Sequence, residues 1–374
     1  MSPGKSSFMA SDPMVMIKDS MEAFFEFEKP IVTLEKKLED LKELSTQEGM
    51  NLKGEIVALE KKLETLIDET YAKLSAWQKV QLSRHPNRPY VRDYVDHLFP
   101  DFLELHGDRL YGDDQAMLGG FATWNYTINK KEHSTSVLIL GQQKGRSTKE
   151  RMERNFGMVK PEGYRKAMRL MEVAERMRLP VVTFIDTPGA YPGIEAEERG
   201  QSQAIAESIR LMFGLTVPVV SIVIGEGGSG GALAIGVANK VLMQEYSTYS
   251  VISPESCASI LWNDSLLAEK ASHKLKMSPA DLLRLEVIDE IIKEPKGGAH
   301  RNWEEAFSHL KEGLEKALNP MLKTFYSSDS DTPAKTTTTK KSTKSQKLDL
   351  KEERIEKFRK MGQIAFTKAK TAGP

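Results

Sequence analysis

Cysteine is nearly absent: Cys257 is the single thiol in 374 residues. One thiol forms no internal disulfide and builds no cysteine cage for zinc, and such sparing use fits a reducing compartment. Apolar runs stop well short of the roughly 18 residues that a membrane-spanning helix needs, which excludes that class. Net charge is missing too, since 53 basic side chains balance 53 acidic ones. The balance hides an asymmetry: from Pro333 onward, 12 Lys/Arg face 4 Asp/Glu. The remainder is acidic, so no general nucleic-acid grip is expected of the body, and only the basic tail suits an acidic surface. The first sixteen residues lack both the apolar core of a secretory signal and the arginines of a transit peptide, so a cytoplasmic location is expected.

Paired ligands and nucleotide signatures are lacking as well. The seven histidines (His85, His97, His106, His133, His273, His300 and His309) show no H-x-x-x-H spacing, and no intrinsic metal is expected. Asp186-Thr187-Pro188-Gly189 looks like a GTPase switch, but Gly4-Lys5-Ser6 has no glycine five residues upstream to make a P-loop. Pro-Gly there, and again at 192–193, is turn chemistry that gives a stiff, shaped loop.

Helical and strand periods divide the chain. Residues 1–20 read as a loose leader. Ile31, Leu34, Leu38 and Leu41, then Leu52, Ile56, Leu59, Leu63 and Leu66, repeat at helical steps on either side of a break at 47–51. That pattern predicts a helical hairpin over 21–83 with a narrow apolar seam. Beyond the turn signals at 84–90, apolar β-rich runs at 137–140, 181–185, 219–224, 241–243 and 250–252 alternate with helical stretches at 162–178, 195–213 and 303–325. Continuous apolar strands between helices predict a mostly parallel sheet covered on both faces, in a domain spanning 84–326. Each of the first three strands runs into a glycine-bearing loop, and sites in such sheets lie off the carboxyl ends of the strands, so these loops should cluster. Residues 327–347 read as a Ser/Thr/Lys-rich linker, and 348–374 as a basic helix carrying Ile355, Phe358, Met361 and Ala365 on one side.

The sharpest segment runs from Ser221 through Gly225-Glu226-Gly227-Gly228-Ser229-Gly230-Gly231 to Gly236. A strand enters a turn with almost no side chains and a small-residue helix leaves it, an arrangement that presents backbone N–H groups to an oxygen acquiring negative charge. Gly225, Gly227 and Gly230 also fit G-x-G-x-x-G, with Glu245 twenty residues on, although that fingerprint belongs on the first strand of its unit. Ser229 inside Gly227/Gly231 invites comparison with a nucleophile elbow, which would need a later histidine and acid. Close packing alone is the remaining reading of these glycines. Without an obvious base nearby, chemistry in which a substrate or cofactor supplies the base is favoured.

Longer strings resemble the α subunit of the bacterial and plastid-type acetyl-CoA carboxylase carboxyltransferase. They are Arg154-Asn-Phe-Gly-Met158, Pro161-Glu-Gly-Tyr-Arg-Lys-Ala167, Phe184 to Gly193, Glu197-Glu-Arg-Gly-Gln-Ser202, Gly225 to Gly236, Tyr246 to Glu255 and Gly297-Gly-Ala-His-Arg-Asn302. Ala76-Trp77-Gln78, Arg84-His-Pro-Asn-Arg-Pro-Tyr90 and Gly107-Asp-Arg109 fit upstream, so the resemblance covers about residues 25–320. It implies an α/β crotonase-type spiral of ββα units with an added N-terminal helical hairpin. It further implies an α2β2 heterotetramer whose β chain carries a zinc ribbon, a biotin carboxyl carrier protein as donor, biotin carboxylase in the larger complex, and CO2 transfer from carboxybiotin to acetyl-CoA to give malonyl-CoA.

By position, the resemblance assigns Gly230 and Gly231 as N–H donors to the carboxybiotin oxygen, with Gly227 and Gly228 shaping the turn. Thr187, Pro188, Gly189, Ala190, Tyr191, Pro192 and Gly193 would wall the biotin pocket, and Lys144 and Arg146 would meet anionic CoA groups. Two other readings stay open: a self-sufficient crotonase-type hydratase or acyl-CoA decarboxylase using Glu226 as base, and a non-catalytic scaffold acting through the hairpin and tail.

Overall fold

The computed structural model describes residues 14–16, 23–47, 51–107, 109–128, 130–327 and 349–363. Most of the predicted leader, most of the linker, including Thr336 to Thr339, and Ala365 lie outside them. Ten strands are seen: β1 (Met14–Met16), β2 (Ala23–Phe25), β3 (Leu103–Glu104), β4 (Met117–Ile128), β5 (Lys131–Gln142), β6 (Val181–Thr187), β7 (Val219–Gly228), β8 (Lys240–Gln244), β9 (Thr248–Ser250) and β10 (Glu290–Ile292). β1 and β2 form a small antiparallel pair, and the other eight form one sheet in the order β10-β8-β7-β6-β5-β4-β3, with β9 joined to β7.

The expected parallel centre is present, because β5, β6, β7, β8 and β10 pair in parallel. Their apolar runs are continuous because both faces are covered. Leu138, Leu140, Val181, Ile185, Val219, Val223, Val241 and Met243 point into one core layer, against Tyr164, Leu170 and Met171 of the helix Pro161–Met177. Val137, Ile139, Val182, Phe184, Val220, Ile222 and Leu242 point into the other, against Tyr94 of Val91–Leu98 and Leu310, Leu314 and Leu318 of Trp303–Ser327. The twelve-residue strand β4 went unread in the sequence. It pairs antiparallel with β5 over its whole length, and its mixed texture reflects polar residues such as Asn125 on the exposed face. The strand expected at 250–252 lies two residues earlier, at β9.

Near the site the strands change partners. β6 and β7 run in register to Ile185 and Val223, then shift so that Thr187 meets Gly227. The body of β7 pairs with β8, whereas its tip pairs with β9, Glu226 opposite Thr248 and Gly228 opposite Ser250. β7 thus contributes its body to the main sheet and its tip to a short second ladder with β9, and a helix follows. This is the ββα spiral of a crotonase-type fold, reached through an α/β sheet with an antiparallel edge.

The hairpin helices are Lys29–Gln47 and Lys53–Ala72, followed by Ala76–Ser83. Their seam is thin, with Ile31 and Leu38 buried and most of the other apolar positions only half-buried. Attachment to the body combines an apolar cluster, in which Tyr71 meets Tyr246 edge-on at 5.5 Å, with buried polar contacts. The Glu28 carboxylate accepts from Tyr71 Oη (2.6 Å), from the Phe25 amide (2.8 Å) and from His300 Nε2 (3.0 Å), and His85 stacks on His300 at 4.1 Å. Burial would raise the Glu28 pKa, but His300 and these hydrogen bonds outweigh it and bring it to about 2. Burial and the neighbouring His300 push His85 down to about 3. Beneath the sheet, Arg88 is almost fully buried and pairs with both oxygens of Glu294 at 2.8 Å.

The C-terminal helix Leu350–Lys360 docks on the body through a buried charge beside its apolar stripe. Arg354 is completely buried and donates to the carbonyls of Met212, Leu215 and Val217 and to Asn239 Oδ1 at 2.6–3.0 Å. Lys357 adds an ion pair to Asp289 at 2.5 Å.

Two outcomes are expected. Arg354→Ala strands these acceptors, so helix 350–360 should lose amide-exchange protection and the chain about 3 kcal/mol of stability in a denaturant titration. Folding lowers the His85 pKa from 6.5 and the Glu28 pKa from 4.5. Their stabilisation is therefore complete above pH 6.5, declines first through His85 as pH falls toward 3, and declines through Glu28 between 4.5 and 2. A melting-temperature series against pH should show that acid limb, and His85→Gln should flatten its upper part.

Candidate active site

Three glycine-bearing loops leave the carboxyl ends of β5, β6 and β7 and meet. Gln142 Nε2 at the end of β5 donates to the Gly231 carbonyl at 2.7 Å. Lys144 Nζ, two residues on, lies 2.9 Å from Asp186 Oδ1 and 2.8 Å from Glu226 Oε1. The Asp186 carboxylate also accepts from the Glu226 amide at 3.1 Å. Clustering of the three loops follows from the parallel order of their strands.

The glycines are required by backbone contact. A Cβ on Gly228 would overlap the Pro188 carbonyl, and one on Gly231 would lie 2.5 Å from the Ala190 nitrogen. A Cβ on Gly227 would sit 2.7 Å from the Tyr249 ring, whereas at Gly230 the nearest atom is Ile205 Cγ2 at 3.4 Å. The turn thus lies directly against the Pro188–Ala190 backbone. Ser229 takes φ 55°, turning the chain into the short helix Ser229–Leu233. Gly230 and Gly231 occupy its first turn, where amides have no intrahelical acceptor. The exposed Ser229 has no histidine partner, so the geometry lacks the triad a nucleophile elbow requires.

The facing loop is held from inside. Thr187 Oγ1 donates to the Gly189 carbonyl (2.7 Å), the Tyr191 amide donates to Val159 O (3.1 Å), and Gln201 Nε2 donates to the Tyr191 carbonyl (2.9 Å). Lys160 Nζ lies 4.8 Å from the centre of the Tyr191 ring. Pro188, Gly189, Ala190 and Tyr191 remain half-exposed, and Pro192 is open to solvent, so this segment stays accessible beside the glycine turn.

Two sequence expectations need correction. Lys144 does not offer its charge outward, because Asp186 and Glu226 neutralise it inside the protein. Arg146 is taken up by Asp93, Pro86 O and Arg88 O, with its guanidinium 4.6 Å from the Tyr90 and Trp303 ring centres. Both side chains brace the loop. Glu226 is not a free base either: Lys144 holds one oxygen and Arg84 Nε the other, at 2.9 Å. Burial would raise its pKa, but these two cations overcome that and bring it to about 2.

Arg84, Glu255, Gln142 and Gln201 were missed as site residues, although three of them sit in strings the resemblance had picked out. Among the described residues one cluster, Glu28 with His85 and His300, has a composition able to hold a metal. Its rings are stacked 29° from parallel rather than converging on a point, and Glu28 is already saturated by hydrogen bonds.

Residues 24–362 match the family model described as acetyl co-enzyme A carboxylase carboxyltransferase-like. The acetyl-coenzyme A carboxylase carboxyl transferase subunit alpha of Geobacter metallireducens is 54% identical over 296 residues, covering 79% of this chain and 90% of that protein. The chain belongs to this carboxyltransferase family. The subunit alpha of a Geobacillus species is 48% identical over 348 residues, 93% of this chain and 98% of the relative. Among solved structures, transcarboxylase 12S gives a TM-score of 0.49 at 17% identity, over 68% of this chain and 44% of that one. The geranyl-CoA carboxylase beta subunit of P. aeruginosa gives 0.44 at 15%, over 66% and 46%. The chain therefore spans less than half of those two structures. The hydratase or decarboxylase alternative finds no support among these relatives.

Sterics separate the glycines of this carboxyltransferase turn. Gly228→Ala should cost about 1–3 kcal/mol through overpacking, read as a lowered melting temperature, while Gly230→Ala should fold with nearly wild-type stability.

Proposed function

We propose that this chain, as the α subunit, supplies the biotin half of a carboxyltransferase site and works only with a β subunit. The observation that carries the reading is the turn at Gly227–Gly231, seated against Pro188–Ala190 with the Gly230 and Gly231 amides in an unsatisfied first helical turn. Carboxybiotin, arriving on a biotin carboxyl carrier protein, provides the CO2 that is transferred to the methyl carbon of acetyl-CoA to give malonyl-CoA. The Gly230 and Gly231 N–H groups donate to the ureido oxygen as it gains charge, and Gly227 and Gly228 let the turn lie flat on its neighbour. Thr187 to Gly193 form the wall along which the ring system lies. Rigid donors aimed at developing charge are the arrangement that lowers a barrier most, since they need no reorganisation during the reaction.

The assembly that fits this half-site is α2β2, with biotin carboxylase in the larger complex and zinc only in the β chain. Ile194, which follows the wall and is 78% exposed, suits an apolar contact with that partner. The helical hairpin over 21–83 serves as an arm, 84–326 as the catalytic body, and the basic helix of 348–374 as a clasp joined by the 327–347 linker. No helix among the described residues is long and apolar enough to cross a membrane, and the reading places the complex in the cytoplasm.

Malonyl-CoA-dependent carboxylation of biocytin tests this directly. Activity is expected only when the chain is co-expressed with its β subunit, and Gly231→Val should reduce it about 10²–10³-fold, because its side chain collides with the Ala190 backbone and swings the N–H out of line, an effect as large as losing one oxyanion donor. Turnover by the chain alone, or silence from an assembled pair, would overturn the assignment.

A further inference from the structure

A turn built as Gly225-Glu226-Gly227-Gly228-Ser229-Gly230-Gly231 has few ways of being held. Glycine surrenders more backbone freedom on folding than any other residue, so five of them in seven favour a wandering loop. Donors that wander are poor catalysts. Only two side chains exist in this stretch, and Ser229 is exposed. Glu226 is therefore the one side chain through which the body can grip the turn.

The grip is two-handed. Arg84, at the end of the helix Ala76–Ser83, gives Nε to Glu226 Oε2 at 2.9 Å, while its Nη1 binds Glu255 Oε1 at 2.6 Å. Lys144, from the loop after β5, binds the other Glu226 oxygen at 2.8 Å and Asp186 at 2.9 Å. Asp186 directly precedes the Thr187–Gly193 wall and accepts the Glu226 amide at 3.1 Å. Glu255 opens the helix Pro254–Trp262, so two cations hold the Glu226 carboxylate directly and two further elements, through Asp186 and Glu255, hold those cations in turn. The side chains are largely withdrawn from water, Lys144 and Glu226 each being 13% exposed, and screening is correspondingly weak.

We propose that Arg84, Glu226 and Lys144 are positioning residues: through Glu226 they fix the direction of the Gly230 and Gly231 amides and lock the turn to the biotin wall as one rigid unit. This rests on the carboxyltransferase reading above. It goes beyond that reading in giving the arm a task at the site, since Arg84 closes the last helix before the body.

The test uses the chain co-expressed with its β subunit in the biocytin assay. Glu226→Gln combined with Lys144→Met removes one negative and one positive charge and leaves Arg84 paired with Glu255, while Asp186, which burial already pushes toward its neutral form, takes up a proton in place of its lost partner. The expected result is an assembled complex with a melting temperature near wild type, kcat down about 100-fold, and KM for malonyl-CoA within about twofold, because the donors are misaimed while the acyl-CoA half is untouched. A role confined to charge balance predicts instead that this pair restores both stability and turnover. Arg84→Lys keeps the charge but not the fork geometry, and should lower kcat about tenfold with the melting temperature little changed.

Turnover within threefold of wild type in the assembled double variant would overturn the proposal. Failure of both variants to assemble would also overturn it, by showing that the network is needed for folding rather than aim. An inactive wild-type pair would sink the underlying reaction instead, so the two failures are told apart.

Discussion

Two stretches of bare backbone in contact set the terms for this protein. Where β6 and β7 end, the glycine turn lies on the Pro188–Ala190 segment so closely that a methyl group at Gly228 or Gly231 has no room. Such an approach leaves no room for side chains between the two segments. It also removes the usual means of holding a loop, the packing of side chains. The remaining architecture answers that deficit. Parallel strands bring three loops to one edge, a shift of partner between Ile185 and Thr187 turns their tips into a second ladder, and a cluster of ionic groups takes the place of an apolar core beneath them.

That ionic cluster accounts for the fate of several residues with an obvious charge. A lysine beside a glycine loop suggests phosphate, and a glutamate within it suggests a base. Here Lys144 and Glu226 cancel each other. Buried ion pairs contribute little net stability, because desolvation opposes attraction, but they hold geometry well, since any displaced charge is left unpaired in a poorly solvating place. The same logic recurs at Arg88 with Glu294 under the sheet and at Arg354 under the last helix, where carbonyl oxygens alone receive a guanidinium. Buried charge acts beside apolar contacts such as Phe358 on Phe213 in fastening the appended segments to the body.

Legibility in the sequence followed the length scale of each signal. β6 up to Ile185 and the body of β7 were plain because both faces are buried and every residue is apolar or small. β4 was missed because its alternation is interrupted by Gly119 and Gly120 and half of it faces water. The three loops were foreseen as a cluster because strand–loop–helix order, a local feature, dictates parallel pairing. Arg84 was seen as part of a break in helical texture, but its partner Glu226 lies 142 residues away, and no spacing rule connects them. The C-terminal helix showed Ile355 and Phe358 on one side, and the structure adds the buried Arg354, whose acceptors come from two other segments, 212–217 and Asn239.

By itself the sequence determined the α/β class, the helical hairpin, the parallel centre of the sheet and the glycine turn, because these depend on near-neighbour periodicity and on the absence of side chains at particular positions. It also carried long strings sufficient to indicate the family. Tertiary structure alone decided which charges are spent internally, that Glu226 is a clamped ion instead of a free base, that the second ladder forms, and that buried polar groups help to hold arm and clasp. Those outcomes depend on pairs brought together across tens to hundreds of residues, and the energy of a charge is set by what surrounds it in space, which no local pattern encodes.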